Sequence, residues 1–174
     1  KDEEICYFDV FFRKNLDNGG YNVVCGLEEI MDYIKNLKFD EEDIKYLRSL
    51  NQFDEEFLQK LKDFKFTGDI YAVPDGTIMF PNEPCITVKA TAFEAQIIET
   101  ALLSIVNGAM EHATGARRII EVTPKNVGIM EFGARRADGL DAANDSSIYG
   151  IMAGCIGTSN CMAADMLNMK AIGT

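Results

Sequence analysis

The sequence predicts an α+β segment over residues 1–115, followed over 116–174 by the first βα units of a parallel sheet or α/β (TIM-like) barrel. Three observations predict it. Period-two runs between residues 69 and 88 read as antiparallel strands, and a wide apolar face from 93 to about 120 reads as a buried helix. Beyond Pro124, short apolar runs alternate with helical segments, which is the βαβ pattern.

Taken in order, residues 5–12 are aromatic and β-branched and predict a strand, which runs into a polar loop closed by Asn18-Gly19-Gly20. Leu27, Ile30, Met31, Ile34 and Leu37 recur at helical spacing. Two short helices follow, each opened by an acidic cluster. Asp40 and Asp54 are the expected N-caps, and the carboxylates behind them suit the positive helix start better than a metal site. Residues 69–73, 77–80 and 85–88 predict three strands of a compact antiparallel meander, with turns at Pro74-Asp75-Gly76 and Pro81-Asn82-Glu83-Pro84. Residues 93 to about 120 read as one long helix or a broken one, with Gly108 and Gly115 as its weak points, where a kink or an end would fall. After it come predicted strands at 127–132, 151–156 and 171–172, with helices at 141–149 and 160–167.

Composition narrows the function classes. At 174 residues with 47% apolar and 26% charged residues, the chain has the balance of a globular protein with a core. Seventeen Lys plus Arg against 28 Asp plus Glu give a net charge of -11, which repels phosphate backbones and argues against nucleic acid as partner. An anionic substrate is repelled too, so a phosphate site must gather arginines locally. No run of about 18 apolar residues is present, which argues against a transmembrane helix and a membrane partner. The opening Lys1-Asp2-Glu3-Glu4 is no signal peptide, and without Met it predicts that residues precede it. Five cysteines without CxxC spacing predict reduced thiols and a cytoplasmic location.

Functional side chains of α/β barrels gather just after the C-terminal strand ends. The first such place is Glu131-Phe132-Gly133-Ala134-Arg135-Arg136-Ala137. Its two guanidinium forks suit phosphate or carboxylate, and Phe132 offers a flat face to an aromatic ligand. A surface arginine pair bridged to nearby acids is the other reading of the same residues. The second place is Gly154 to Asn160, where Thr158 and Ser159 precede a predicted helix. It is either an anion seat or an ordinary N-cap. Gly173-Thr174 falls on the same rim. His112, the one histidine, has no HExxH spacing and reads as structural, and Arg117 and Arg118 read as complements of the helix dipole. Neither GxxxxGK[ST] nor GxGxxG occurs, so P-loop and dinucleotide readings lack support.

Together these segments resemble the nicotinate phosphoribosyltransferase family. The resemblance rests on Phe11-Phe12-Arg13-Lys14-Asn15, Asn18-Gly19-Gly20-Tyr21, Gly26-Leu27-Glu28-Glu29, Tyr46-Leu47-Arg48-Ser49-Leu50 and Phe66-Thr67-Gly68-Asp69 through Pro84. Further on it rests on Glu94-Ala95-Gln96, Glu99-Thr100, the Glu131 to Ala137 stretch and Gly157-Thr158-Ser159-Asn160. It spans nearly the whole chain. It implies that nicotinate displaces pyrophosphate from phosphoribosyl pyrophosphate, with ATP as co-substrate and Mg2+ as the accompanying ion. It also implies an irregular barrel of the type II phosphoribosyltransferases and a homodimer in which each N-terminal domain completes its neighbour's site. By the same resemblance Phe132 stacks on the pyridine ring, Arg135 and Arg136 hold phosphate or pyrophosphate oxygens, Thr158 and Ser159 face the substrate, and Thr174 contacts nicotinate. The family's phosphorylated histidine lies in the segment that follows Gly-Thr, so no catalytic residue is expected in this stretch and it is expected to be inactive alone.

This chain departs from the family's pattern at Asn15-Leu16-Asp17, at Cys155-Ile156-Gly157-Thr158 and at Gly115. A nicotinamide-specific relative is expected to carry one arginine in the Phe-Gly loop and an aspartate after Gly-Thr, where this chain has Arg135-Arg136 and Ser159. A quinolinate phosphoribosyltransferase shares the fold but matches the motifs less well. A biotinyl or lipoyl carrier hairpin needs a lysine at its tip, and Pro74-Asp75-Gly76 has none. A non-catalytic ligand-binding homologue is the remaining reading.

Overall fold

In a computed structural model describing residues 4–173, the first half of the chain forms β1 (Ile5–Phe11), β2 (Asn22–Val23), α1 (Leu27–Asn36), α2 (Glu41–Ser49) and α3 (Glu55–Lys62). Next come β3 (Asp69–Ala72), β4 (Ile78–Met79), β5 (Pro84–Thr91) and the long helix α4 (Ala92–Val122). The last part forms β6 (Met130–Glu131), α5 (Leu140–Met152), β7 (Gly157–Thr158) and α6 (Cys161–Met166).

β5 lies between β1 and β3, antiparallel to both. Alternation along these strands turns Val10, Ile86, Val88 and Ala90 inward against Ile98, Leu102, Val106 and Met110 of α4. Tyr7, Asp9 and Tyr71 face water on the other side. α1 adds Ile30 to this core, while α2 and α3 pack Ile44, Leu58 and Leu61 beside it. Both acidic helix starts are caps. Asp40 accepts from the Glu42 and Asp43 amides in a capping box, and Asp54 accepts from the Phe57 amide.

The expected meander is corrected: β3 and β5 pair directly, while β4 leaves their sheet to pair with β2. The physical reason is the turn at 74–76. Gly76 takes a left-handed φ of 85°, and its amide donates to the Val24 carbonyl at 2.7 Å. The Val24 amide returns a bond to Thr77 at 2.9 Å, so the 22–24 segment captures this excursion.

The sequence leaves one long helix or a broken one, and the structure has the long one. α4 runs unbroken past Gly108 and Gly115, which face open space and leave its buried stripe intact. Residues 115 and 116, where the sequence reading divides the chain, lie within it. Its start is held by Thr91 and Glu94. The Glu94 carboxylate accepts from the Thr91 amide and hydroxyl and from the Thr67 amide and hydroxyl, at 2.6–3.2 Å. Burial raises the Glu94 pKa, but these bonds outweigh it and leave the group below its ordinary value. A depressed carboxylate pKa stabilises the fold above the unfolded value of about 4.3, and that contribution disappears as pH falls through the folded value. Glu94→Gln is therefore expected to cost roughly 1–3 kcal/mol at pH 7, with the difference from the parent shrinking by pH 3. Urea unfolding at the two pH values measures it, and an equal difference at both would discount the carboxylate's charge.

Arg118, expected to complement the helix dipole, instead donates to the Leu16 carbonyl at 3.0 Å, pinning the 16–19 loop. All five cysteines are free thiols, and Cys25, Cys85 and Cys155 are buried.

In the last part, β6 and β7 are parallel with α5 between them in sequence. The predicted strand at 151–156 is corrected: α5 carries the apolar run to Met152, Gly154 turns the chain at φ 114°, and the strand begins at Gly157. Residues 171–172 are not a strand, although the Ile172 amide reaches the Thr158 carbonyl at 2.9 Å and extends the ladder. α5 packs on α4 through Tyr149 and Ala153 against Ala109 and Ala113. Gly26 lets the start of α1 approach α4 beside them, because a Cβ there would sit 2.9 Å from the Ala109 methyl. Among the described residues, no helix is long and apolar enough to cross a membrane.

Candidate functional site

The register of β6 and β7 sets the site's geometry. Met130 lies opposite Gly157 and Glu131 opposite Thr158, so both strands end level and their following residues share one rim. Phe132 is half-buried there. Gly133 opens a 3-10 turn closed by the Arg136 amide on the Gly133 carbonyl at 2.7 Å, and this turn carries Arg135 and Arg136. Both arginines are exposed, and neither makes an ion pair among the described residues.

On the second strand end the predicted residues divide. Thr158 is 1% exposed, and its hydroxyl donates to Glu131 at 2.9 Å while accepting from the Asn160 amide at 3.0 Å. Ser159 is exposed at the strand end. The side-chain oxygen of Asn160 accepts from the Met162 and Ala163 amides at 3.0 and 3.2 Å, so the start of α6 is capped by its own chain. Of the two readings for residues 154–160, the N-cap describes Asn160. Thr174 lies outside the described residues.

Spacing did not single out the group on which these pieces converge. Glu131 accepts from the Gly133 amide at 2.5 Å on one oxygen, and from the Ser147 and Thr158 hydroxyls at 2.6 and 2.9 Å on the other. Asn160 extends the network by donating to Asn144 at 2.9 Å. Its members come from three separate segments, so no local pattern could have marked them.

A cavity of about 340 Å³ runs along β6 between α4 and α5, with Phe132, Gly133 and Arg136 on its wall. Arg135, Thr158 and Ser159 are not on that wall. His112, read from sequence as structural, is exposed and lines the same cavity. Burial, and then the Glu131 carboxylate, push the neighbouring Cys155 thiol above its ordinary pKa, which keeps it protonated and unreactive.

A second cavity of about 260 Å³, between α1, α5 and α6, has the opposite character. Glu28, Glu29, Asp32, Asp75 and Asp145 line it. Burial, the largest cause, holds Asp75 and Asp145 above the usual carboxylate range. An anion is repelled there.

The family model described as the nicotinate phosphoribosyltransferase N-terminal domain matches residues 1–107. A nicotinate phosphoribosyltransferase of Bacillus subtilis is 40% identical over 172 residues, covering 99% of this chain and 35% of that protein. One from Mycobacterium tuberculosis is 39% identical over 167 residues, covering 96% of this chain and 36% of that protein. The crystal structure of human nicotinic acid phosphoribosyltransferase superposes with a TM-score of 0.89 at 27% identity, over 99% of this chain and 35% of that one. The chain thus spans about a third of the length of the curated relatives it matches.

Proposed function

The chain belongs to the nicotinate phosphoribosyltransferase family, and from that premise we propose that the full-length protein joins nicotinate to the phosphoribosyl group of phosphoribosyl pyrophosphate. The products are nicotinate mononucleotide and pyrophosphate, ATP is the co-substrate, and the setting is NAD synthesis in the cytoplasm. The observation that carries the site is the level pairing of Glu131 with Thr158, which puts the Phe132-arginine loop and Ser159 on one rim.

The chemistry asks for charge stabilisation. Pyrophosphate leaves from a sugar that acquires oxocarbenium character, so donors aimed at the leaving oxygens lower the barrier directly. Arg135 and Arg136 supply such donors in planar forks, with no carboxylate competing for them among the described residues. Phe132 offers its ring to the pyridine and Ser159 an exposed hydroxyl. The buried Thr158 acts through its bond to Glu131, and Thr174, outside the described residues, is assigned to nicotinate by the family resemblance alone. Mg2+ is the ion expected to accompany the substrates, and among the described residues no group of three His, Cys, Asp or Glu side chains is placed to hold a metal. We place that ion on the substrates' phosphates and route no step through it. β6, α5 and β7 are read as the first units of a barrel beginning near residue 116, completed by further chain, with a second subunit closing the site.

The test is mononucleotide formation by the full-length chain from phosphoribosyl pyrophosphate, with nicotinate or nicotinamide, with and without ATP. Nicotinate is expected to react and ATP to increase product. Absence of product from nicotinate would overturn the activity, and equal turnover of nicotinamide would overturn the choice of the acid.

A further inference from the structure

We infer that Glu131 is a positioning residue, which holds the arginine loop and the Thr158-Ser159 rim in register through one carboxylate. The inference deepens the proposed function and rests on it for its kinetic part.

The geometry is specific to a carboxylate in this place. Three donors from three segments converge on two oxygens: a loop amide, a helix hydroxyl and a strand-end hydroxyl. A carboxylate accepts through both oxygens and needs no donor of its own, so it satisfies all three together. The surroundings are cut to fit it. A Cβ at Gly133 would stand 2.9 Å from the carboxylate oxygen, and one at Gly150 would stand 3.0 Å from the Glu131 Cγ. Glycines therefore clear space on two sides of this side chain, one in the arginine loop and one on α5. Ser147 is fully buried and Thr158 nearly so, so water cannot readily replace a lost acceptor.

The bond to the Gly133 amide sets where the 3-10 turn starts, and therefore where Arg135 and Arg136 point. The bond to Thr158 sets the strand end from which Ser159 projects. Without the carboxylate, both rim segments lose their common anchor. Misplacing substrate-holding groups by about 1 Å is enough to cost about 10²-fold in rate.

A proton-transfer role is distinguishable from this one by glutamine. In Glu131→Gln the amide oxygen can keep the Gly133 bond while its NH2 faces the two hydroxyls, which rotate to accept. Ser147 retains the Ala143 carbonyl, 2.9 Å away, for its own proton. The experiment compares Glu131→Ala and Glu131→Gln with the parent, in the full-length chain. Steady-state kinetics are measured for both substrates, with amide hydrogen exchange over residues 133–137 and 158–160. The alanine variant is expected to lose about 10²-fold in kcat/KM and to exchange faster in those two segments, with α4 still protected. The glutamine variant is expected to stay within about threefold of the parent in kcat/KM. Equal losses in both variants, with exchange unchanged, would overturn positioning in favour of a charge or proton role. Parent-like kinetics and exchange in the alanine variant would overturn the inference outright. Exchange is read without turnover, so a parent that makes no mononucleotide overturns the proposed activity and leaves the anchoring result standing or falling by itself. If the alanine variant does not fold, Glu131→Asp, one methylene too short to span all three donors, takes its place with the same expected outcomes.

Discussion

Arg135→Lys in the full-length protein is expected to lower kcat/KM by about 10²-fold or more. The argument is geometric as well as electrostatic. Arg135 stands exposed on a tight turn whose start is held by Glu131, and no carboxylate pairs with it among the described residues. A guanidinium offers two parallel N–H bonds to a phosphate or pyrophosphate, whereas an ammonium keeps the charge and loses the fork. The loss is expected mainly in the terms that contain phosphoribosyl pyrophosphate, because the fork would meet that substrate's oxygens. Steady-state kinetics with each substrate varied in turn measures it, and parent-like constants would remove Arg135 from the site.

Leu102→Ala is expected to destabilise the protein by about 2–5 kcal/mol. Leu102 is 1% exposed at the middle of α4, packed within the cluster that includes Val10, Ile86 and Val88 of the sheet. Truncation removes buried apolar surface and leaves a void that strands on one side and a helix on the other cannot easily close. The neighbouring Leu103 is 44% exposed, so Leu103→Ala is expected to change stability by no more than about 0.5 kcal/mol. Denaturant unfolding compares the two in the same chain, with the midpoint moving and the slope staying fixed. Similar effects from both positions would contradict the assigned helix face.

Much of this was legible in the sequence because it is local. The 3.6-residue stripe through Ile98, Leu102 and Val106 marked the buried face of α4, and Asp40 and Asp54 marked helix starts that the structure caps with those side chains. Errors arose where two local patterns were equally good. The apolar residues 151–156 suit a strand or a helix end by periodicity, and only the left-handed turn at Gly154 separates the two. Gly108 and Gly115 left open whether the helix is long or broken, and packing along the rest of α4 outweighs two flexible positions on its outer side.

For the candidate site the division is sharper. Phe132, Arg135, Arg136 and Ser159 could be proposed from sequence because an aromatic face, guanidinium forks and a hydroxyl stand at or just after the ends of predicted strands. Glu131, Ser147 and Asn144 were not, since their roles exist only once segments 16 and 27 residues apart come together.

The sequence by itself determined most of the kinds of elements, most of the core face, the family and the arginine-bearing loop, since each is written in neighbouring residues. Tertiary structure alone decided that β4 joins β2, that Thr158 turns inward while Ser159 turns out, and that one carboxylate ties both strand ends. Strand partners and buried hydrogen bonds are chosen by competition among distant groups for the same donors and acceptors, and no local run of residues contains that competition.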